Sequence, residues 1–291
     1  MAEVGTGLFT YEVEAGWGTL PENIELGGVA AVACDSQDRV YLYSRSDLPM
    51  VVLDREGTFL SAWGLAFLED AHGLYIDSEQ TLWCTERETH CIRRCSLDGD
   101  LLLTIGTPRR PGQAGAPFNL PTDMAVDSQG CRYIADGYGN ARVHKYSPEG
   151  QRLHSWGEPG QGSGQFDLPH CVRVDAEDRV LVADCGNNRI QIFDTDGAYL
   201  LQWEDLRKPA SIHIDTEGIV YVAEREQRIS ILNEAGHLLS RWEFLGCPHG
   251  ICTDSRGDLY VSEVQTDGRY QKFIRQALNR QALNRLPGAQ S

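Results

Sequence analysis

The 291-residue sequence contains no run of 18 or more apolar residues, the length that a transmembrane helix requires. Basic residues are scarce, because 26 Lys and Arg stand against 42 Asp and Glu, which gives a net charge of −16. Nucleic acids and anionic membranes are bound by clustered Lys and Arg, so neither is expected as a partner. We expect a small-molecule partner and a monomeric protein.

The nine cysteines have neither the spacing of a disulfide framework nor that of a CxxC metal site, and their number is odd. The first residues, MAEVGTGLFTYEVEAGWG, lack the basic region and the apolar stretch of a signal peptide. We therefore expect a cytoplasmic protein whose thiols are reduced.

One phrase occurs six times along the chain: a small residue or His, alternating apolar residues, an Asp, a short turn, a β-rich run and an acidic residue. Successive aspartates are 42, 50, 48, 40 and 39 residues apart. A period near 40 with four short strands per unit is typical of β-propellers, so the sequence predicts an all-β, six-bladed β-propeller. The shared aspartates are Asp35, Asp77, Asp127, Asp175, Asp215 and Asp254.

The outer strand of the repeat is also recognisable, as in GTFLSAWG and GQRLHSWG, but the C-terminal unit lacks a copy. A matching phrase, TYEVEAGWG, occurs near the N-terminus and ends at Trp17. We expect this N-terminal strand to close the last blade, because closure removes the open sheet edge. Residues 1–276 are predicted to form the propeller, and residues 277–291 a helical or disordered tail.

Histidine recurs in every second repeat at one position, five residues before the shared Asp. Alternate blades of a six-fold ring are about 120° apart, so these imidazoles converge on the axis. Three imidazoles suit Zn²⁺ with a fourth position open, although iron, copper or nickel also accept them. The alternative, three unrelated core or surface histidines, does not explain the alternation. In blade order this position holds Ala30, His72, Thr122, His170, Ala210 and His249.

A second group of polar residues stands about ten positions after the shared Asp, where the next strand returns to the same end of the channel. Arg45 and Arg87 lie ten residues after their aspartates and Tyr138 eleven; Arg225 has the equivalent place in blade five. An arginine here can bind a carboxylate through two hydrogen bonds. A tyrosine near a dication and an arginine can have a lowered pKa and act as a general base.

The alternative for two of these arginines, Arg87 and Arg225, is a structural ion pair with the acids that recur at the end of the second strand. Those acids are Glu86, Asp136, Asp184, Glu224 and Glu263.

The units resemble NHL repeats, and over roughly residues 25–265 the chain resembles the peptidyl-α-hydroxyglycine α-amidating lyases. The phrases that carry this resemblance are AHGLYID, LPTDMAVD, ADGYGNARVHKYSPEG, GQFDLPHCVRV and CPHGI. The resemblance implies a propeller with zinc on His72, His170 and His249. It also implies that Tyr138 is the catalytic tyrosine, that Arg45 binds the substrate carboxylate, and that a carbinolamide is cleaved to an amide and glyoxylate.

The sequence departs from the family at three places. Cys247 replaces a methionine two residues before the third histidine, where its thiol could tune or ligate the metal, contact substrate or simply pack. The family's calcium is held by two carbonyls, matching Val32 and Leu74, and by an aspartate that is Gly250 here, so this site loses its charged ligand. A family disulfide cysteine is Gly139 here, which agrees with a reducing compartment.

The substrate is left open between a peptide and a small metabolite with a carbinol centre. Two other functions also stay open. A metal-dependent hydrolase of the lactonase type would use the same histidines, and a Glu, an Asp and an Asn on the axis would favour it. A non-enzymatic NHL scaffold would bind protein or RNA, and a basic rim would favour it.

Overall fold

The structure, a computed structural model, describes residues 3–112, 118–264 and 268–276. Its strands form six antiparallel sheets, as the repeat predicts. The N-terminal pair, which joins the sixth sheet, is β1 (Glu3–Thr6) and β2 (Phe9–Glu14). Blade one contains β3 (Val29–Cys34), β4 (Val40–Ser44), β5 (Met50–Leu53) and β6 (Phe59–Trp63). Blade two contains β7 (Ala71–Ile76), β8 (Leu82–Glu86), β9 (Cys91–Cys95) and β10 (Leu101–Gly106).

The third and fourth blades each carry a short helical turn after their second strand. Blade three contains β11 (Asp123–Val126), β12 (Arg132–Asp136), the helical turn α1 (Gly137–Asn140), β13 (Arg142–Tyr146) and β14 (Arg152–Trp156). Blade four contains β15 (Pro169–Val174), β16 (Val180–Asp184), a 3₁₀ turn (Cys185–Asn187), β17 (Arg189–Phe193) and β18 (Tyr199–Trp203).

The last two blades complete the ring. Blade five contains β19 (Pro209–Ile214), β20 (Val220–Glu224), β21 (Arg228–Leu232) and β22 (Leu238–Glu243). Blade six contains β23 (Pro248–Thr253), β24 (Leu259–Glu263) and β25 (Tyr270–Arg275). The first strand of each blade packs against the first strand of the next, in the order β3, β7, β11, β15, β19, β23 and back to β3. The six-bladed propeller predicted from the sequence is confirmed.

The N-terminal segment closes blade six, as predicted, because β2 pairs with β25 in the order β1-β2-β25-β24-β23. Two details differ from the expectation. The closing strand ends at Glu14, and Trp17 lies beyond it, packed on Tyr260 and Tyr270 and bonded to the Arg55 carbonyl. A further strand, β1, extends the sheet to five strands. The predicted tail, residues 277–291, lies outside the described residues.

The shared Asp of each repeat holds the turn between the first two strands. In blade five, Asp215 accepts hydrogen bonds from the backbone amides of Glu217 and Ile219 at 2.9 Å and from the Tyr221 hydroxyl at 3.0 Å. Such a turn leaves amides that need an acceptor, and a short carboxylate supplies it. The aromatic donor six residues after the Asp recurs in five blades, as Tyr41, Trp83, Tyr133, Tyr221 and Tyr260.

The turn aspartate is therefore a testable source of stability. Asp215→Ala removes the acceptor of all three donors, so we expect the free energy of unfolding to fall by about 2–4 kcal/mol. Tyr221→Phe removes one of the three bonds and should cost about 1 kcal/mol. Urea unfolding followed by tryptophan fluorescence measures both losses. Equal losses in the two variants would contradict the role given to the backbone amides.

Candidate metal centre

Each of the three axial histidines is placed by an irregularity in the first strand of its blade. In blade two, Ala71 pairs with Glu86 and Gly73 pairs with Thr85, so His72 is the extra residue of a β-bulge. The same shift leaves His170 unpaired in β15 and His249 unpaired in β23. A bulge turns a side chain away from the ordinary alternation of a strand. Here it directs the imidazoles into the channel.

A buried acid at the end of the second strand fixes the loop that leads into each of these histidines. Glu86 accepts from the amides of Glu69 and Asp70, at 2.9 and 3.2 Å. In the other two blades, Asp184 accepts from the Asp167 amide at 2.8 Å, and Glu263 accepts from the Cys247 amide at 3.0 Å. The recurrent acids thus position the backbone next to the ligand candidates. Their side-chain partners are on the third strand: Arg93, His144, Arg189 and Arg228.

The three imidazoles meet in the channel. His72, His170 and His249 are buried, and one ring nitrogen of each lies within 4.8 Å of those of the other two. Each Nδ1 donates to a backbone carbonyl of the following blade: His72 to Thr122 at 2.7 Å, His170 to Ala210 at 2.7 Å and His249 to Ala30 at 2.6 Å. A carbonyl can only accept, so Nδ1 carries the proton and Nε2 is left with a free lone pair.

The protonation of these rings suits metal binding. Burial lowers the pKa of His170 to about 4, and burial with the mutual repulsion of the rings lowers the pKa of His72 and that of His249 well below the usual range. The three imidazoles are therefore neutral at pH 7, and no proton has to be displaced before an ion binds. Three neutral Nε2 atoms, each oriented through its other nitrogen, form a set that could hold a metal ion.

Tyr138 lies on α1, directly above two of the histidines. Its hydroxyl is 3.2 Å from Nε2 of His72 and 3.3 Å from Nε2 of His170. Both nitrogens are acceptors, and the single hydroxyl hydrogen of Tyr138 can bond to only one of them at a time. The lone pair of the other nitrogen is then without a donor, and a cation bound among these atoms would satisfy it. The tyrosine is 38% exposed whereas the histidines are buried, which places it between the ion site and the channel mouth.

The pKa of Tyr138 differs from the expectation. Burial raises it above its usual value, although Arg225, Arg87 and Arg45 each oppose that rise. The lowered pKa predicted from a dication and an arginine is therefore not produced by the protein groups alone, because the loss of hydration outweighs three nearby guanidinium groups.

The arginines predicted at the mouth are all there, with different partners. Arg87 pairs with Asp70 at 3.2 Å and with Glu88 at 3.0 Å, and its guanidinium carbon lies 5.6 Å from the centre of the Tyr138 ring. Arg45 is held mainly by the Ala71 carbonyl at 3.1 Å and is 3.7 Å from Asp70. Among the described residues, neither Arg87 nor Arg225 forms the alternative ion pair with the recurrent buried acids. Compared with Arg87, Arg45 therefore has less of its positive charge balanced by carboxylates.

Cys247 is separate from the ligand group. Its sulfur accepts a hydrogen bond from Arg225, whose guanidinium also lies beside Cys185. Cys247 is partly exposed, and all nine cysteines are free. The thiol therefore contacts the rim of the site rather than the three nitrogens.

The calcium implied by the resemblance does not fit the channel. Val32 and Leu74 do line it together with Gly250, but the nearby carboxylate is Asp123, at the position of Gly250 in a different blade. Asp123 Oδ2 pairs with the Arg173 guanidinium at 2.5 Å, in the interior of the channel. A calcium ion would have to share its one carboxylate with a fixed positive charge, whereas such sites usually offer several anionic oxygens.

Several features of the site were not predicted from the sequence. The carbonyls that orient the histidines come from the positions that lack histidine, and a backbone acceptor leaves no trace in residue identity. The Asp123–Arg173 pair joins two blades at different repeat positions. Asp70, the shared partner of Arg45 and Arg87, lies two residues before His72, and that spacing could have drawn attention to it.

Comparison with known proteins agrees with this fold. An NHL repeat matches residues 166–193. NHL repeat-containing protein 3 of Homo sapiens is 35% identical over 226 residues, which is 72% of this chain and 65% of that protein. Peptidyl-alpha-hydroxyglycine alpha-amidating lyase 1 of Drosophila melanogaster is 29% identical over 234 residues, 67% of this chain and 43% of that protein. The resemblance to NHL-repeat propellers and amidating lyases is confirmed.

The chain spans less than two thirds of the length of these relatives. Among solved structures, a gluconolactonase of Xanthomonas campestris matches with a TM-score of 0.66 at 16% identity, covering 94% of this chain and 90% of that one. A streptogramin B lyase matches with a TM-score of 0.64, also at 16% identity, covering 92% and 89%. At such identity these structures show the shared propeller only. No helix in the described part of the chain is long and apolar enough to cross a membrane.

The metal site can be tested by direct analysis. We expect purified protein to hold one ion per chain after zinc loading, and His170→Ala to lose most of it, because two imidazoles rarely retain a dication. His237→Ala, on an exposed turn, is the matched control and should bind as the wild type does. Inductively coupled plasma mass spectrometry after gel filtration measures the ratio. Full retention in His170→Ala would remove this residue from the site.

The Asp123–Arg173 pair makes a separate prediction. Arg173→Met leaves a buried carboxylate without its partner and should lower the free energy of unfolding by about 3–5 kcal/mol. Asp123→Asn combined with Arg173→Met should recover part of that loss, because the charge is gone. Thermal melting with calcium and with EGTA should be identical for the wild type. A melting temperature of the wild type that rises with calcium would show that an ion does bind in the channel.

Proposed function

We propose that this protein is a metal-dependent carbon–nitrogen lyase that cleaves an N-acyl-α-hydroxyglycine, or a similar carbinolamide, to an amide and a glyoxylate-type aldehyde. The observation that carries the proposal is the Tyr138 hydroxyl 3.2–3.3 Å from two of three converging imidazole nitrogens. A base next to a cation site is what removal of a hydroxyl proton needs. Relatives named as amidating lyases support the same chemistry.

The position of each residue in the site gives it a role in the reaction. Arg45, whose guanidinium is only loosely paired with Asp70, binds the substrate carboxylate at the mouth. Tyr138 acts as the phenolate, a form that a dication on the three histidines would favour against the effect of burial on its pKa. The phenolate takes the proton of the α-hydroxyl group, the C–N bond breaks as the aldehyde forms, and the proton passes to the departing amide nitrogen. Every atom of the substrate is then found in the two products, and no covalent intermediate is required. Arg87 stabilises the negative charge of Tyr138 from 5.6 Å above its ring.

A dication on His72, His170 and His249 would supply Lewis acidity at the substrate hydroxyl, lowering its pKa. Zinc is the ion that three neutral imidazoles and an open position suit best, while iron, copper or nickel would accept the same donors. The partner is a small molecule that bears a carboxylate, and the protein acts as a cytoplasmic monomer without nucleic acid or membrane.

The two other functions have less support. A lactonase-like hydrolase would need oxygen ligands, and the one carboxylate that lines the described channel, Asp123, is already paired with Arg173. A scaffold that binds RNA needs a basic rim, whereas the protein carries a net charge of −16. A scaffold also gives no reason for three histidines oriented by three carbonyls.

The lyase is tested with α-hydroxyhippurate and zinc-loaded protein, with glyoxylate measured by reduction coupled to NADH. We expect Tyr138→Phe to lower kcat by at least about 100-fold while retaining zinc, since the Tyr138 phenolate accepts the substrate proton and is not needed to hold the ion. Arg45→Gln should mainly raise KM. Tyr199→Phe, on the outer strand of blade four, is the control and should match the wild type.

Two results would count against the proposal. Zinc-loaded wild type that releases no glyoxylate from any carbinolamide would move the assignment to the hydrolase. A Tyr138→Phe variant as active as the wild type would be compatible with a lyase but would show that Tyr138 is not its base.

A further inference from the structure

Arg225 stands at the channel mouth opposite Arg87 and two blades away from Arg45. It follows β20 directly, ten residues after Asp215, as Arg45 and Arg87 follow Asp35 and Asp77 in their blades. The ring order places blade five opposite blade two, three blades away in either direction. The mouth therefore has one cationic group on blades one and two and a second on blade five.

Arg225 differs from Arg87 in what surrounds it. Its guanidinium is bonded to the Cys247 sulfur and lies beside Cys185. Burial raises the pKa of Cys185 to about 11, so this neighbour is a neutral thiol. In the ranges 3–112, 118–264 and 268–276, no Asp or Glu oxygen lies within ion-pair distance of Arg225, whereas Arg87 pairs with both Asp70 and Glu88.

Two thiols are weak acceptors for a group with five N–H donors. A half-buried guanidinium that is matched only by sulfur keeps donors and charge available to an anion. The protein has 42 Asp and Glu against 26 Lys and Arg, so an arginine without a carboxylate partner is an unusual feature here.

Arg225 is anchored at the same end of the channel as the other two arginines. Its amide donates to the Lys208 carbonyl at 3.0 Å, as the Arg45 amide does to Gly28 at 3.0 Å and the Arg87 amide to Asp70 at 3.2 Å. The Tyr138 amide makes the corresponding bond to Leu120 at 3.4 Å, so Arg225 starts from an equivalent backbone position at the mouth that Tyr138 borders.

We propose that the substrate is a dianion whose second carboxylate, on the acyl arm, is bound by Arg225. This inference rests on the proposed lyase and names its substrate class. In an N-acyl-α-hydroxyglycine, the carboxylate and the acyl arm extend from opposite sides of the carbinol carbon and its nitrogen. With the first carboxylate on Arg45 of blade one, the arm passes over the site to blade five, two blades away around the mouth. An acyl group derived from a dicarboxylic acid meets the free guanidinium there, and a neutral acyl group does not.

The experiment uses ligands that bind without being cleaved. N-glutarylglycine and N-pentanoylglycine have acyl arms of the same length and lack the α-hydroxyl group, and isothermal titration calorimetry on zinc-loaded protein gives both dissociation constants. We expect the dianion to bind at least about tenfold more tightly, the gain of one charge-assisted contact. In Arg225→Gln the ratio of the two constants should fall towards one.

Arg207→Gln is the matched control, because Arg207 pairs with Glu243 on the outside of the same blade and should leave the ratio unchanged. Equal affinities in the wild type would overturn the inference whether or not the variant folds. A ratio that Arg225→Gln leaves unchanged would also overturn it.

Cleavage separates this inference from the lyase itself. The α-hydroxylated forms of both ligands are incubated with the wild type, and glyoxylate is measured. Preferred binding of the dianion with no glyoxylate from either compound would sink the lyase and keep Arg225 as an anion site. Equal binding with glyoxylate from both would keep the lyase and sink the dianion.

Discussion

The hydrogen bond from each axial imidazole to a carbonyl of the next blade is the interaction on which the site depends. It places the proton on Nδ1, turns Nε2 to the axis and links successive blades at 2.6–2.7 Å. Histidine in every blade would have filled the channel with six rings and left no room for a ligand. Alternation solves this, because the blades without histidine supply the acceptors: Ala30, Thr122 and Ala210. The three-fold site is thus built from all six blades.

The fold could be predicted from the sequence because its main determinants are periodic. Each Asp turn is a local structure whose acceptor and donors lie within six residues, as with Asp215 and Tyr221. The convergence of His72, His170 and His249 likewise followed from register alone. The closing strand could be predicted because the C-terminal repeat lacks a copy of the outer strand. Its end was wrongly placed at Trp17, since this residue packs against blade six without continuing the β-ladder.

What could not be predicted depends on contacts between different repeat positions. Asp123 and Arg173 occupy positions that carry other residues in every other blade, so no period reveals that they meet. The pKa of Tyr138 is the difference between two opposing effects, burial and three arginines, and composition gives neither magnitude. The alternative that paired Arg87 with the acids at the end of the second strand was wrong for the same reason. The acids at the strand ends face the third strand and the loop amides, and Asp70 fills the place next to the arginine.

The charges along the channel differ between its interior and its mouth. Arg173 lies three residues further along its strand than His170, and its charge is balanced by Asp123, so the deep part of the channel carries no net charge. The mouth holds three arginines against Asp70 and the exposed Glu88. In a protein with a net charge of −16, three arginines gathered at one end of the channel make this mouth a favourable place for an anion. The anionic substrate that we propose would meet this positive charge on its way to the site, and the guanidinium groups that supply the charge are the ones that act on the pKa of Tyr138.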